Sequence, residues 1–185
     1  MSQPVIYLFG GSNGSGKTTF ARAYLPHEGP NIRFLNADEI ARGLSPFSPQ
    51  TIALKAGRLM LEEVRGCIEV LQSFGLESTL SGKTYLNLLA EARQTGYEIE
   101  LHYLWLPTAE MAVRRVRQRV KKGGHAVPES DIRRRYQRSI DHLLEDYLPL
   151  AERWSIWGNE ASIPVLLADS ANDDMIRVNE ILSSL

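Results

Sequence analysis

Cysteine occurs once in this chain of 185 residues, at Cys67. No internal disulfide can therefore brace the fold, and a reducing compartment suits it. No apolar run is long enough to cross a bilayer. Met1-Ser2-Gln3-Pro4 has neither the positive charge nor the apolar stretch of a signal peptide. The expectation is a cytoplasmic protein with no membrane partner. Net charge is scarce too: 21 Lys and Arg stand against 22 Asp and Glu, which leaves no global field to draw nucleic acid or lipid. His and Cys nowhere fall at metal-ligand spacing. Repeats, low-complexity tracts and linkers are also missing. The length then points to one domain, 1–185, large enough for a full core.

Against that background one stretch stands out. Residues 10–19 contain Gly11-x-x-x-x-Gly16-Lys17-Thr18, the complete phosphate-binding loop pattern. The continuous apolar run Val5-Ile6-Tyr7-Leu8-Phe9 precedes it and predicts a buried strand. A helix-compatible segment follows to about Leu25. Strand, loop and helix in that order separate a phosphate loop from a Gly-rich turn that binds nothing. Gly11, Ser12, Asn13, Gly14, Ser15, Gly16, Lys17, Thr18 and Thr19 are the candidate nucleotide contacts. Successive backbone N–H groups and the helix N-terminus would cradle the phosphates of ATP. Lys17 would reach the outer phosphates, and Thr18 would bind Mg²⁺.

The rest of the chain alternates strand and helix. Residues 32–37 read as a second strand, after which Asp38 begins a short helix. Asp38 has two readings: a helix N-cap, or a carboxylate at the ligand-binding edge of a parallel sheet that takes the proton of an attacking hydroxyl. Its place at the same sheet edge as the phosphate loop favours the second. Residues 49–74 show helical spacing, which puts Cys67 on the apolar stripe and makes Gly75 a C-terminal cap. A third strand is expected over 76–80. It carries Glu77, which is either exposed on an edge strand or buried and justified by a nearby Mg²⁺. A helix over 85–95 leads to a fourth strand over 98–106, whose His102 reads as a sheet histidine. Short strands at 154–157 and 163–168 and a helix over 173–185 finish the chain.

Ten of the 21 Lys and Arg residues fall between Arg114 and Arg138, on two helical segments separated by Gly123-Gly124. Basic helices around a Gly-Gly break can close over a triphosphate as a lid. They can equally form a solvated basic face or a nucleic-acid patch. Tyr136 is the one aromatic residue interleaved with these arginines, which speaks against nucleic acid. Spacing alone does not separate Arg117 from Arg119, since both flank the apolar stripe.

Taken together, the phosphate loop, Asn36-Ala37-Asp38-Glu39-Ile40, Glu77-Ser78-Thr79-Leu80-Ser81-Gly82, and Gly123-Gly124-His125 with Arg134-Arg135-Tyr136 resemble the zeta-toxin-like P-loop kinases over nearly the whole chain. The resemblance implies an α/β sandwich with a mostly parallel five-stranded sheet in the order 2-3-1-4-5. Helices cover both faces, and an antiparallel strand is possible at one edge. It also implies ATP- and Mg²⁺-dependent transfer of phosphate to a small-molecule hydroxyl, which in zeta toxins is a sugar hydroxyl of UDP-N-acetylglucosamine. An antitoxin-type protein is the implied partner. Asp38 becomes the base and Lys17 the phosphate contact. Thr18 and Glu77 lie at the metal, and Arg119 with Arg135 act as lid clamps. Two other readings stay open on the residues: a regulatory module with slow ATP hydrolysis, and a nucleic-acid-linked P-loop protein. Gly158-Asn159-Glu160 departs from the Asp-Asn-Ser that many relatives carry.

Overall fold

The computed structural model describes residues 3–124, 126–161 and 163–183, with the main chain alone at Gln50. His125 of the Gly-Gly-His segment lies outside the described residues, as do the last two positions of the 173–185 helix expectation. The apolar run forms β1, Val5–Gly10, at the centre of a sheet with strand order β2-β3-β1-β4-β5-β6. Flanking it are β3, Phe74–Glu77, and β4, Glu98–Trp105, both parallel to it. β2, Arg33–Leu35, and β5, Arg153–Gly158, continue the parallel order outward. The sheet has six strands rather than five, because β6, Val165–Asp169, pairs antiparallel with β5. The short 159–164 connection permits only a return alongside the strand just left, since a parallel crossover needs a dozen residues or more.

β1 explains why helices cover both faces. Ile6 and Leu8 point into the larger apolar cluster with Met60, Leu76, Leu101 and Tyr103. Tyr7 and Phe9 point the other way, against Ala21 and Leu25 of α1, Lys17–Glu28. Alternation along a strand sends neighbours to opposite faces, so an unbroken apolar run requires cover on both.

Three expected boundaries move. α2, Ala37–Leu44, begins inside the segment expected as strand, because the Asn36 side chain accepts hydrogen bonds from the Asp38 and Glu39 N–H groups and starts the helix there. Asn36 is the cap, and Asp38 is not. The 49–74 helix is shorter: a 3₁₀ turn over Pro49–Ile52 leads to α3, Ala53–Glu69. The chain then reverses at Leu71, whose φ is 52°. Phe74 keeps the helical spacing but pairs with Ile6 in β3. Gly75 is therefore a strand residue and caps nothing; a Cβ there would come within 2.7 Å of Leu25 Cδ1. Cys67 is fully buried in the core, as the apolar stripe implied.

α4, Leu86–Gln94, lies within its expected span, and the first basic segment forms α5, Ala109–Lys121, with the Thr108 hydroxyl capping it by accepting from Met111 N at 3.1 Å. The Gly-Gly break ends α5 in a hydrogen-bonded cap. Gly124 N–H donates to Arg119 C=O and Gly123 N–H to Val120 C=O, both at 2.9 Å, with Gly123 at φ 85°. That is the paired-bond helix stop for which a left-handed residue is needed. α6, Glu129–His142, follows and runs into a π turn, Leu143–Tyr147, and a 3₁₀ turn, Leu148–Leu150. α7, Met175–Ser183, packs on β6. Among the described residues no helix is long and apolar enough to cross a membrane.

Candidate active site

The carboxyl ends of β1, β3 and β4 meet at the phosphate loop, the edge at which open parallel sheets bind ligands. Gly11, Gly14 and Gly16 sit at φ 137°, 79° and 95°, a region that costs side-chain-bearing residues about 1 kcal/mol or more. Gly16 is also closed off in space, because a Cβ there would fall 2.4 Å from Asn159 Nδ2. The sequence pattern is thus a backbone requirement at this turn.

Lys17, 6% exposed, folds back over the loop, and its Nζ donates to Ser12 C=O at 2.9 Å. Burial pulls its ammonium pKa below the ordinary lysine value, while the carboxylates of Glu77 and Asp38 work against that shift. Its nearest carboxylate oxygen is Glu77 Oε1, at 3.8 Å. An anion arriving at the loop would add the charge this lysine lacks. Ser12 and Ser15 hydroxyls are buried with no protein partner among the described residues, as a loop built to donate to a ligand would leave them.

Glu77, at the last position of β3, is the hub. Its Oε2 accepts from Thr18 Oγ1 at 2.8 Å and from Asn36 Nδ2 at 2.7 Å. Asn36 thus does two jobs: its Oδ1 caps α2 and places Asp38, and its Nδ2 fixes Glu77. One hydroxyl and one carboxylate make a hard oxygen set. They fit an ion such as Mg²⁺, which keeps several waters and takes its other ligands from phosphate. Among the described residues no cluster of three or more His, Cys, Asp or Glu side chains could hold a metal by itself.

Asp38 opens into a cavity of about 410 Å³ that it shares with Lys17, Glu77, Ser78, Thr79, Ser81 and Arg119. A second space of about 730 Å³ lies over Thr18 and Thr19 under Arg115, Arg119 and Lys122. Arg119 borders both. Gly124 is pressed against it, since a Cβ there would fall 2.5 Å from Arg119 Cγ. Arg117 points elsewhere and pairs with Glu129 across α5 and α6. Arg135 lines only the Asp38 cavity. Lys17, Thr18, Asp38, Glu77, Arg119 and Arg135 therefore border one or other of these two spaces, and Arg117 does not.

Asn36 and Asn159 stand in the quoted motifs, but the sequence reading gave neither side chain a role. Asn36 carried a signal, an Asn directly ahead of acidic first-turn residues. Asn159 carried almost none: its Nδ2 donates to Ser15 C=O at 2.6 Å and braces the loop from behind. Arg115, which donates to the Glu160 carbonyl at 2.9 Å, holds that turn in place. The β3–α4 turn is pinned similarly, by Tyr147 Oη donating to Gly82 C=O and by the His142 ring at Leu80 C=O.

Comparison with known proteins bears on the fold and the family. An uncharacterised protein of Haemophilus influenzae is 31% identical over 126 residues, covering 68% of this chain and 88% of that protein. A chain from the PezAT chromosomal toxin–antitoxin system of Streptococcus pneumoniae superposes with a TM-score of 0.71 at 18% identity, over all of this chain and 80% of its own. A chain of the AvrRxo1-ORF1:-ORF2 assembly with ATP gives 0.63 at 20% identity, over 90% of this chain and 58% of its own. A model of the Zeta toxin family matches residues 1–147, and the chain belongs to that family.

Proposed function

We propose that this protein transfers the γ-phosphoryl group of ATP to a hydroxyl of a small molecule bound beside Asp38. The observation that carries the reading is the junction of the two cavities, where Lys17, Arg119 and Glu77 border both spaces and Asp38 faces one. A phosphoryl group passing between donor and acceptor would cross that junction. The solved relative that was determined with ATP supports the choice of donor.

Each residue then has a task. The loop amides, with Ser12 and Ser15, hold the β- and γ-phosphates. Lys17 and Arg119 neutralise charge gathering on the transferred group. Asp38 accepts the acceptor's proton as its oxygen bonds to the γ-phosphorus and ADP leaves with the bridging oxygen. Thr18 and Glu77 would hold magnesium, which supplies further charge neutralisation at the phosphates. Arg135, on the Asp38 side, would clamp the acceptor or the transferring group. Movement of the 114–138 segment as a lid belongs to the same proposal. So does an antitoxin-type protein partner, which the toxin–antitoxin system of the Streptococcus relative supports, and so does a cytoplasmic location.

The test is ATP turnover by purified protein with Mg²⁺, alone and with a panel of hydroxyl acceptors that includes UDP-N-acetylglucosamine, nucleosides and simple sugars. Phosphate should appear on one acceptor and not in the Asp38→Ala variant. Hydrolysis that no acceptor stimulates would favour a regulatory ATPase instead.

A further inference from the structure

The polar groups around the phosphate loop fall into two sets. Arg115 and Gln118 of α5, with Lys122 just past its end, line the space above Thr18 and Thr19. Arg134, Arg135 and Arg138 of α6 line the other cavity, with Asp38. The α6 set has a helical cause, because residues at i and i+4 lie about 6 Å apart on one face. Asp131, one turn earlier, holds Arg134 at 2.7 Å and comes within 3.9 Å of Arg135. Arg138 has no carboxylate partner within ion-pair distance among the described residues.

A transferring phosphoryl group accounts for Lys17 and Arg119 at the junction. It leaves Arg134 and Arg138, on the far side, with no part in the transfer. Around a neutral sugar in a cavity of about 410 Å³, Asp131 would be shared between Arg134 and Arg135 and Arg138 would have no countercharge. Around an anion each is useful, because guanidinium meets phosphate or carboxylate with two parallel hydrogen bonds. The hydroxyls of Ser78, Thr79, Ser81 and Thr84 supply the remaining polar wall, suited to a hydroxylated skeleton. Tyr85 is the one aromatic ring among the described lining residues, and its hydroxyl is turned to Met60 Sδ at 3.5 Å. No pair of flat faces is present there to sandwich a nucleobase.

We infer that the acceptor is a small, base-free hydroxylated anion, whose phosphate or carboxylate is held by Arg134 and Arg138 while its hydroxyl faces Asp38. The inference rests on the kinase reading and narrows it, setting the acceptor apart from the nucleotide sugar of zeta toxins. The acceptor's own oxyanion takes no part in bond making. The hydroxyl oxygen bonds to the γ-phosphorus of the nucleoside triphosphate, the bond to the β–γ bridging oxygen breaks, and the proton goes to Asp38.

Two titrations separate this inference from the reading it rests on. A non-hydrolysable ATP analogue with Mg²⁺ reports on the donor site alone. With that site saturated, matched pairs are titrated: glycerol 3-phosphate against glycerol, glucose 6-phosphate and gluconate against glucose, and UDP-N-acetylglucosamine beside them. A charged, base-free compound should bind best, and its affinity should fall about 10-fold or more in Arg138→Gln and further in the Arg134→Gln/Arg138→Gln double variant. Analogue affinity should stay unchanged. Phosphate-bearing or carboxylate-bearing preference then names the oxyanion. Both side chains are exposed, so the variants are expected to fold, and a melting curve checks this. The inference is overturned if no charged member binds better than its neutral partner, or if UDP-N-acetylglucosamine binds best and is indifferent to both substitutions. Failure of the analogue to bind counts against the kinase reading instead. The same pairs titrated into the unliganded protein would then decide the anion site by the same criterion.

Discussion

Glu77 and Glu100 are carboxylates on the two strands that flank β1, opposite Phe9 and Tyr7 respectively. Each accepts hydrogen bonds from more than one side chain. Glu77 stands at the carboxyl edge, where its partners Thr18, Asn36 and Lys17 border a cavity or place residues that do. Glu100 lies inside β4 and is closed in: Tyr24 Oη donates to it at 2.7 Å, His102 Nε2 is 3.2 Å away, and Arg153 pairs with it. Burial alone would raise the Glu100 pKa. The nearby His102 ring, with the hydrogen bonds from Tyr24 and Arg153, outweighs it and holds the carboxyl down to about 2. His102 is locked in turn by Ser155 at 2.8 Å. A buried charge with every partner supplied by the protein is structural, whereas one whose partners open onto an unfilled space is a candidate for chemistry.

That contrast can be broken by substitution. Asp38→Ala, on the cavity side, should cut phosphoryl transfer by about 10²–10⁴-fold, the usual worth of a general base, with ATP affinity retained. Lys17→Met should lower turnover by about 10²–10³-fold, and should weaken ATP binding as well. Glu100→Gln should act on the other axis. Weakening one partner of the buried cluster should cost roughly 2–4 kcal/mol and lower Tm by roughly 5–12 °C for a chain of this size. Its acceptor KM should stay put. A turnover defect in Glu100→Gln at temperatures where the variant is fully folded would erase the distinction.

pH sharpens it. The Glu100 carboxyl has a lower pKa folded than unfolded, so its contribution is fully present above about pH 4.5 and is lost as pH falls toward 2. Wild-type protein should therefore lose stability over that interval, by about 2 kcal/mol once solvent screening is allowed for. Glu100→Gln should show a flatter acid limb, read by chemical denaturation at a series of pH values. The smallest effect belongs to Arg117→Gln. That exposed pair with Glu129 should contribute within about 0.5 kcal/mol and leave turnover unchanged, unlike the same change at Arg119.

What could be read from the chain follows from how local each requirement is. The phosphate loop was legible because its turns need glycine at fixed offsets and an apolar strand before them. Alternating strands and helices pointed to a parallel sheet, and the order of its strands came from the family resemblance. Phe74 misled because it continues the Cys67 spacing by seven residues, and only its pairing with Ile6 assigns it to β3. Arg119 could not be told from Arg117 by periodicity, since what separates them is Glu129 on another helix. Asn159 reaches Ser15 across 144 positions, a contact made by the return of β5 to the loop and by nothing local. The division of the arginines between two cavities is likewise tertiary.

The most direct measurement follows labelled γ-phosphate from ATP onto a hydroxyl acceptor, for wild type and Asp38→Ala, with ATP affinity determined in parallel. Label on the acceptor with wild type, none with Asp38→Ala, and equal ATP affinity is the predicted result. Undiminished transfer by Asp38→Ala would contradict the account, because the cavity beside the phosphate loop would then lack the base assigned to it.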